Sequence, residues 1–352
     1  MRSIEEIKPL LNNPKKIVIT MHQKPDADAM GSSLALYHYL ILKGHTVTVI
    51  SPTNFPDFLK WMPGCDKVID FEASREKTLK VLQDIDILFC LDFNVLNRTR
   101  NLAPHLEKLS CIKVLIDHHL QPSPDFDFGI SDPSASSTAQ MVYEMILLFG
   151  DKNIINEDIA QCVYAGTMTD TGSFRFATTS ARVHHMIAHL LEIGLKHEPI
   201  HQAIYDNYLE NRLRFIGHVL LNRLEIFYEY NTALIAVPYS DVKKYDIRTG
   251  DTEGLVNLPL SIQGIKLAAL IIDRDAEVKL SFRSKGNFDV NIFARKYFEG
   301  GGHLNASGGR SSDSASADST ASPSPPSGQW SSAVTIGQVS ERSVSSSRGL
   351  IE

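Results

Sequence analysis

Lys16-Ile17-Val18-Ile19-Thr20 holds four consecutive β-branched residues and is followed by a helical pattern over about residues 29–43 that Gly44 closes. The same alternation continues outward from it. Runs at 46–50, 87–91 and 114–116 are rich in Val, Ile and Leu and carry no charged residue, which predicts strands buried on both faces. Helical periodicity then dominates at 138–149, 157–168 and 181–191. This pattern predicts an α/β fold whose N-terminal part is a mainly parallel sheet with helices on both faces. Residues 196–214 are polar with a helical period and predict a helical linker. Strand runs at 224–228, 232–237, 265–272 and 278–283 follow, then a Gly-rich loop, Gly300-Gly301-Gly302-His303-Leu304-Asn305-Ala306-Ser307-Gly308-Gly309. They predict a smaller C-terminal α/β domain, with the active site in the cleft between the two.

The expected boundaries are 1–195 for the first domain, 196–214 for the linker, 215–310 for the second domain and 311–352 for a tail. That tail is Ser-rich with a Pro cluster at 322–326 and has no strand or helix period, the composition of a segment without packed structure. It begins where a folded domain should continue, so a foreign or out-of-frame end is one expectation and a natural Ser-rich tail the other.

At 352 residues and 43% hydrophobic content the chain has material for two cores. A net charge of −6 argues against a protein that tracks long duplex or single-stranded nucleic acid, which needs basic stripes; a small phosphorylated substrate remains compatible. Cys65, Cys90, Cys111 and Cys162 form no CxxC pair and read as free thiols of a reducing, cytoplasmic compartment. The start has no apolar leader and no run is long enough to span a bilayer, so no membrane association is expected.

Open α/β sheets bind ligands beyond the carboxyl ends of their strands. Asp26 and Asp28, Asp92, and Asp117-His118-His119 each follow a strand run, and Asp170 is expected to arrive from a loop after a helix. Each has a bland reading. An Asp-x-Asp turn before a helix is ordinarily a cap, and Asp92 or Asp170 alone is an ordinary turn residue. Two imidazoles and a carboxylate ending a buried strand are harder to discount, because burying them is costly unless they bind something. Extended spacing would aim Asp26 and Asp28 the same way, and Gly31 would allow close backbone approach. Together the set can hold two cations about 3.5–4 Å apart through a shared ligand, with enough imidazole to favour a transition metal. His184, His185, His189, His197 and His201 read as solvated helix faces.

His22-Gln23-Lys24-Pro25-Asp26-Ala27-Asp28, Asp117-His118-His119, Thr169-Asp170-Thr171-Gly172-Ser173-Phe174 and the Gly300–Gly309 motif resemble, over roughly residues 10–310, the DHH phosphoesterases and their DHH-associated C-terminal domain. The motif order is most similar to the branch of bifunctional oligoribonucleases and PAP phosphatases. The resemblance implies two manganese ions, one on His22, Asp26 and Asp92 and the other on Asp28, Asp92, His118 and Asp170, with Asp92 bridging. It implies that His119 faces the scissile phosphate, that Asp117 orients an imidazole, and that both belong with Asp92 to the catalytic group. It further implies a substrate phosphate site of Arg283, Gly301, Gly302, His303 and Asn305; Arg98 is read both as a phosphate contact and as an ordinary surface arginine.

The leading function is hydrolysis of short oligoribonucleotides and removal of the 3′-phosphate from 3′-phosphoadenosine 5′-phosphate (pAp), with these as partners and a homodimer allowed. Linear-dinucleotide phosphodiesterase and pyrophosphatase or exopolyphosphatase are the enzymatic alternatives. An inactive nucleotide-binding module is the non-enzymatic one.

Overall fold

The computed structural model describes residues 1–248, 250–275 and 277–311. It divides into two compact units, the first Met1–Asn207 and the second beginning at Tyr208. The first contains, in order, β1 (Arg2–Ser3), β2 (Lys16–Thr20), α1 (Ala27–Leu42), β3 (Thr46–Ser51), β4 (Ile69–Asp70), α2 (Arg75–Leu82), β5 (Ile87–Leu91), α3 (Ala103–Glu107), β6 (Ile112–Asp117), β7 (Phe128–Ser131), α4 (Thr138–Leu148), α5 (Glu157–Asp170), α6 (Ala181–Glu192) and α7 (Glu198–Tyr205). Its seven strands lie in the order β1-β7-β6-β5-β2-β3-β4, and every pair is parallel.

The uninterrupted apolar strands explain this layering. In β5 all five residues are buried. Ile87, Phe89 and Leu91 join Ile17, Ile19, Val114 and Ile116 in a core with α1, α4 and α5, whereas Leu88 and Cys90 join Val18 and Leu115 in a second core with Leu82 of α2 and Leu106 of α3. Successive strand residues thus point to opposite faces, and both faces are covered. From β2 the sheet grows one way through β3 and β4 and the other way through β5, β6 and β7. The order therefore reverses between β2 and β5, which makes their carboxyl ends the switch point where such sheets bind ligands.

The second unit contains α8 (Glu210–Asn222), β8 (Leu224–Phe227), β9 (Thr232–Val237), α9 (Tyr239–Lys244), β10 (Leu267–Asp273), β11 (Val278–Ser284), α10 (Val290–Tyr297), β12 (Gly301–His303) and β13 (Ala306–Ser311). Its mixed sheet runs β12-β13-β11-β10-β9-β8, with β9 and β10 parallel and the other pairs antiparallel. Phe215 and Val219 of α8 cover one face at Ile235, Leu270 and Ile272; Val290, Phe293 and Ala294 of α10 cover the other at Leu280 and Phe282.

The stretch 196–214 is helical, made of α7 and the start of α8: Ile200 and Ile204 of α7 pack into the first core and Phe215 of α8 into the second unit. Two local expectations are corrected. The Gly-rich segment is a β-hairpin rather than a loop, with Gly301, Gly302 and His303 paired to Gly308, Ser307 and Ala306. Asp170 ends α5 instead of standing in a loop. The hydroxyls of Thr169 and Thr171 donate to the carbonyls of Ala165, Gly166, Thr167 and Met168, satisfying the last turn beyond the apolar period. Ser311 closes β13 opposite Val278; the rest of the expected tail lies outside the described residues.

Candidate metal centre

Asp92 leaves β5 in a left-handed conformation, φ 62°, which an Asp tolerates better than most residues and which functional sites often hold. Its two oxygens point to different imidazoles. Oδ2 is 3.3 Å from His22 Nε2, and Oδ1 is 3.4 Å from His118 Nε2. Asp26 Oδ2 lies 3.7 Å from His22 Nε2. Asp28 Oδ2 and Asp170 Oδ2 lie 3.8 and 3.4 Å from His118 Nε2. Ligand atoms of His22, Asp26 and Asp92 fall within 4.8 Å of one another, as do those of Asp28, Asp92 and His118. The expected ligands thus form two clusters joined at Asp92.

The local folding explains each placement. Asp26 caps α1: its side chain accepts from the backbone N–H groups of Asp28 and Ala29 through Oδ1, leaving Oδ2 for His22. The capping role therefore uses one oxygen and leaves the other for a cation. The expectation that extended spacing aims Asp26 and Asp28 the same way is corrected, because α1 begins between them. Asp28 is 1% exposed and accepts from the first two amides of α4, Thr138 at 2.7 Å and Ala139 at 2.9 Å. A helix N-terminus favours such a carboxylate. Gly31 and Gly166 let α1 and α5 meet at backbone distance: a Cβ on Gly31 would lie 2.5 Å from the Cys162 carbonyl oxygen, and one on Gly166 2.9 Å from Asp28 Oδ1. That crossing sets Asp28 beside the end of α5, where Asp170 stands.

The imidazoles are oriented by their other nitrogens. His22 Nδ1 bonds the Gln23 carbonyl at 2.8 Å, and His118 Nδ1 lies 3.3 Å from the Ala135 carbonyl. Both contacts turn Nε2 toward the carboxylates, the arrangement expected of imidazole ligands. His119 Nδ1 is 2.7 Å from Asp117 Oδ1 and 3.7 Å from Asp92 Oδ1. Asp117 Oδ2 is buried without a hydrogen-bond partner. Thr138, absent from the sequence reading, donates its hydroxyl to Asp92 Oδ1 at 3.0 Å and is fully buried. A Thr opening an apolar helix carries no signal that distinguishes this role.

Charge crowding sets the electrostatics. Burial alone lowers His22, but hydrogen bonds to Asp26 and Asp92 outweigh it and raise the imidazole to about 10. Burial and then the charges of Asp92 and Asp170 push Asp28 well above the ordinary carboxylate range. Burial, followed by the charges of Asp26 and Asp92, raises Asp170 to about 7 against the pull of His118. Asp92 is held well below its usual range despite burial, because His118 and His22 bond it. His119 is lowered by burial and also by the nearby Arg98 charge. Several buried carboxylates that cannot all ionise in an apolar setting fit cations. The mixed imidazole and carboxylate donors fit a transition metal.

Arg98 is half-buried and its backbone carbonyl accepts from Gln23 N–H at 2.9 Å, beside the His22 loop. In the second unit Arg283 lies on β11 and His303 on β12, in one cross-strand row through Ala306. The Gly302 N–H donates to Asn291 Oδ1 at 3.0 Å, so it is engaged inside the unit rather than offered to an anion. The Asn305 amide likewise donates to Ser284 Oγ at 2.8 Å and the Gly286 carbonyl at 2.9 Å. Gly301 precedes Gly302 on β12. The solvated-face reading fails for His189 and His201, each 3.0 Å from a tyrosine hydroxyl, Tyr143 and Tyr164. Cys65, Cys90 and Cys162 are buried free thiols and Cys111 is half-buried. Among the described residues no helix is long and apolar enough to cross a membrane.

A doubly covered parallel sheet with this carboxylate and imidazole cluster at its switch point defines a class. Residues 16–167 match the DHH family N-terminal domain and residues 232–321 the DHHA1 domain, and the chain belongs to the DHH family of phosphoesterases, hydrolases of the phosphodiesterase and phosphatase type. It is 29% identical over 309 residues to the bifunctional oligoribonuclease and PAP phosphatase NrnA of Thermus thermophilus, covering 88% of this chain and 87% of that one. The protein of the same name from Bacillus subtilis is 27% identical over 304 residues, covering 83% and 88%. Among solved structures, an exopolyphosphatase-related protein from Bacteroides fragilis superposes with a TM-score of 0.85 at 36% identity, covering 96% of this chain and 94% of that one.

Proposed function

We propose that the chain is a two-cation phosphoesterase that releases mononucleotides from short oligoribonucleotides and removes the 3′-phosphate of pAp. The observation that carries this reading is Asp92, whose two oxygens lie 3.3 and 3.4 Å from the Nε2 atoms of His22 and His118. His22, Asp26 and Asp92 would hold one manganese-like cation, and Asp28, Asp92, His118 and Asp170 the other. Such cations lower the pKa of water and offset charge on phosphoryl oxygens. The names of the Thermus and Bacillus relatives support the substrate class.

The protein's own groups do the remaining work. Asp117 accepts from His119 Nδ1, which leaves Nε2 as the atom that takes up or gives a proton at the phosphate. Arg98, near His119, offers a guanidinium to phosphate oxygens. Arg283 and His303 capture a phosphate of the substrate, while Gly301, Gly302 and Asn305 shape the hairpin that carries His303.

Two outcomes follow. Asp117→Asn should lower kcat by about 10–100-fold with metal content unchanged, the usual cost of losing a partner that orients an active-site imidazole. Equal kcat in the variant would remove His119 from proton transfer. His303→Ala should raise KM for short oligonucleotides while metal analysis stays constant; a lost cation would move His303 into the metal centre. The decisive assay offers pAp, a labelled dinucleotide and pyrophosphate side by side with manganese. Turnover of the first two is expected. Hydrolysis of pyrophosphate alone overturns the reading, and hydrolysis of the dinucleotide alone favours a linear-dinucleotide phosphodiesterase.

A further inference from the structure

Residues 135–138 lead into α4 and reach all the ligands assigned to one of the two cations. The Ala135 carbonyl lies 3.3 Å from His118 Nδ1, and the Thr138 hydroxyl donates to Asp92 Oδ1 at 3.0 Å. The Thr138 N–H donates to Asp28 Oδ2 at 2.7 Å. Asp170 is reached through its helix: Ser137 Oγ shares a hydrogen bond of 3.0 Å with Thr167 Oγ1, one turn before Asp170 on α5. Ser137 is itself fixed, because its Oγ caps α4 by accepting from the Gln140 N–H at 3.0 Å. Ser137, Thr138 and Thr167 are all fully buried. Hydroxyls carried that deep are costly unless bonded, and here their bonds tie α4 to Asp92 and to α5. His22 and Asp26, the ligands that belong to the other cation alone, are held by their own stretch of chain. His22 Nδ1 meets the Gln23 carbonyl, and Asp26 Oδ1 accepts from the amides of Asp28 and Ala29. The two sites therefore meet at Asp92 but are framed separately.

We propose that Thr138 is a positioning residue for the cation assigned to Asp28, Asp92, His118 and Asp170, and that the buried Ser137–Thr167 contact completes its frame, so that this site can be weakened while the one at His22 and Asp26 is kept. This deepens the function proposed above and rests on its two-cation reading. Thr138 acts through two groups at once. Its hydroxyl fixes Asp92 Oδ1 on the His118 side and leaves Oδ2 to His22, while its N–H fixes Asp28. Thr167 acts through α5, whose last turn carries Asp170.

The test is manganese titration of the full-length protein by calorimetry, with electron paramagnetic resonance to distinguish a coupled ion pair from a single ion. Wild type should take up two ions. In Thr138→Val, which keeps the N–H and the side-chain shape, one site should retain its affinity and the other weaken about 10–100-fold, the usual cost of losing a group that orients a ligand. At low manganese the coupled-pair signal should give way to that of a single ion. Thr138→Ser, which keeps the hydroxyl, should restore the second ion. Thr167→Val should weaken the same site from the α5 side, and it decides the matter should Thr138→Val fail to fold. Two ions bound as tightly as in wild type, or equal weakening of both sites, overturns the proposal. A wild-type protein that binds fewer than two ions overturns the two-cation reading instead, a different result.

Discussion

Asp92→Asn should lower kcat/KM by about a thousandfold or more if the proposed function is right, because the two cations it assigns would contribute several kcal/mol of charge stabilisation and would lose their common ligand together. Asn is the informative replacement because it tolerates the left-handed backbone at φ 62°, so the turn after β5 is kept. It also keeps a side-chain oxygen for the Thr138 hydroxyl, now 3.0 Å from Asp92 Oδ1. Metal analysis should show fewer than two ions, and the rise in melting temperature on adding manganese should shrink. The metal-free variant should melt lower than metal-free wild type, since Asp92 is the carboxylate whose charge the His118 and His22 imidazoles stabilise. Full activity with manganese, or an undiminished metal-induced shift, would remove the bridging assignment.

Gly31→Ala should damage both the stability and the metal affinity of the first unit. The added Cβ would meet the Cys162 carbonyl oxygen at 2.5 Å and the Gly166 nitrogen at 3.1 Å, both backbone atoms that cannot rotate away. Overpacking of this kind costs about 1–3 kcal/mol, more than Ala gains over Gly in helix propensity, about 1 kcal/mol. The helices can separate only by moving Asp28, so manganese affinity should fall together with stability. Gly166→Ala presses on Ala139 Cβ at 2.7 Å and Asp28 Oδ1 at 2.9 Å, and should weaken metal binding more than folding. Thermal unfolding and manganese titration of both variants check the pair; wild-type metal affinity in both would show that the α1–α5 crossing does not position Asp28.

Much of this was legible in the chain. The strand runs at Lys16–Thr20, Ile87–Leu91 and Thr232–Val237 are where the apolar runs put them, because a strand covered on both faces has no polar positions to blur the signal. The short strands Arg2–Ser3, Ile69–Asp70 and Phe128–Ser131 went unread. Two to four residues hold too little pattern, and pairing rather than propensity makes them strands. The hairpin at Gly301–Ser311 was invisible for a related reason: glycines have no side-chain period, and the register with β11 orders them.

The sequence by itself determined which residues are candidates, since carboxylates and imidazoles at strand ends are costly without a partner. Only the tertiary structure decided what each atom does. Asp28 is held by the amides of Thr138 and Ala139, 110 and 111 positions away, and Thr138 turns out to support Asp92. Asp26 caps through one oxygen and faces His22 through the other. The physical reason is that periodicity and capping are properties of neighbours along the chain, whereas a buried carboxylate's energy depends on whichever donors the packing brings to it.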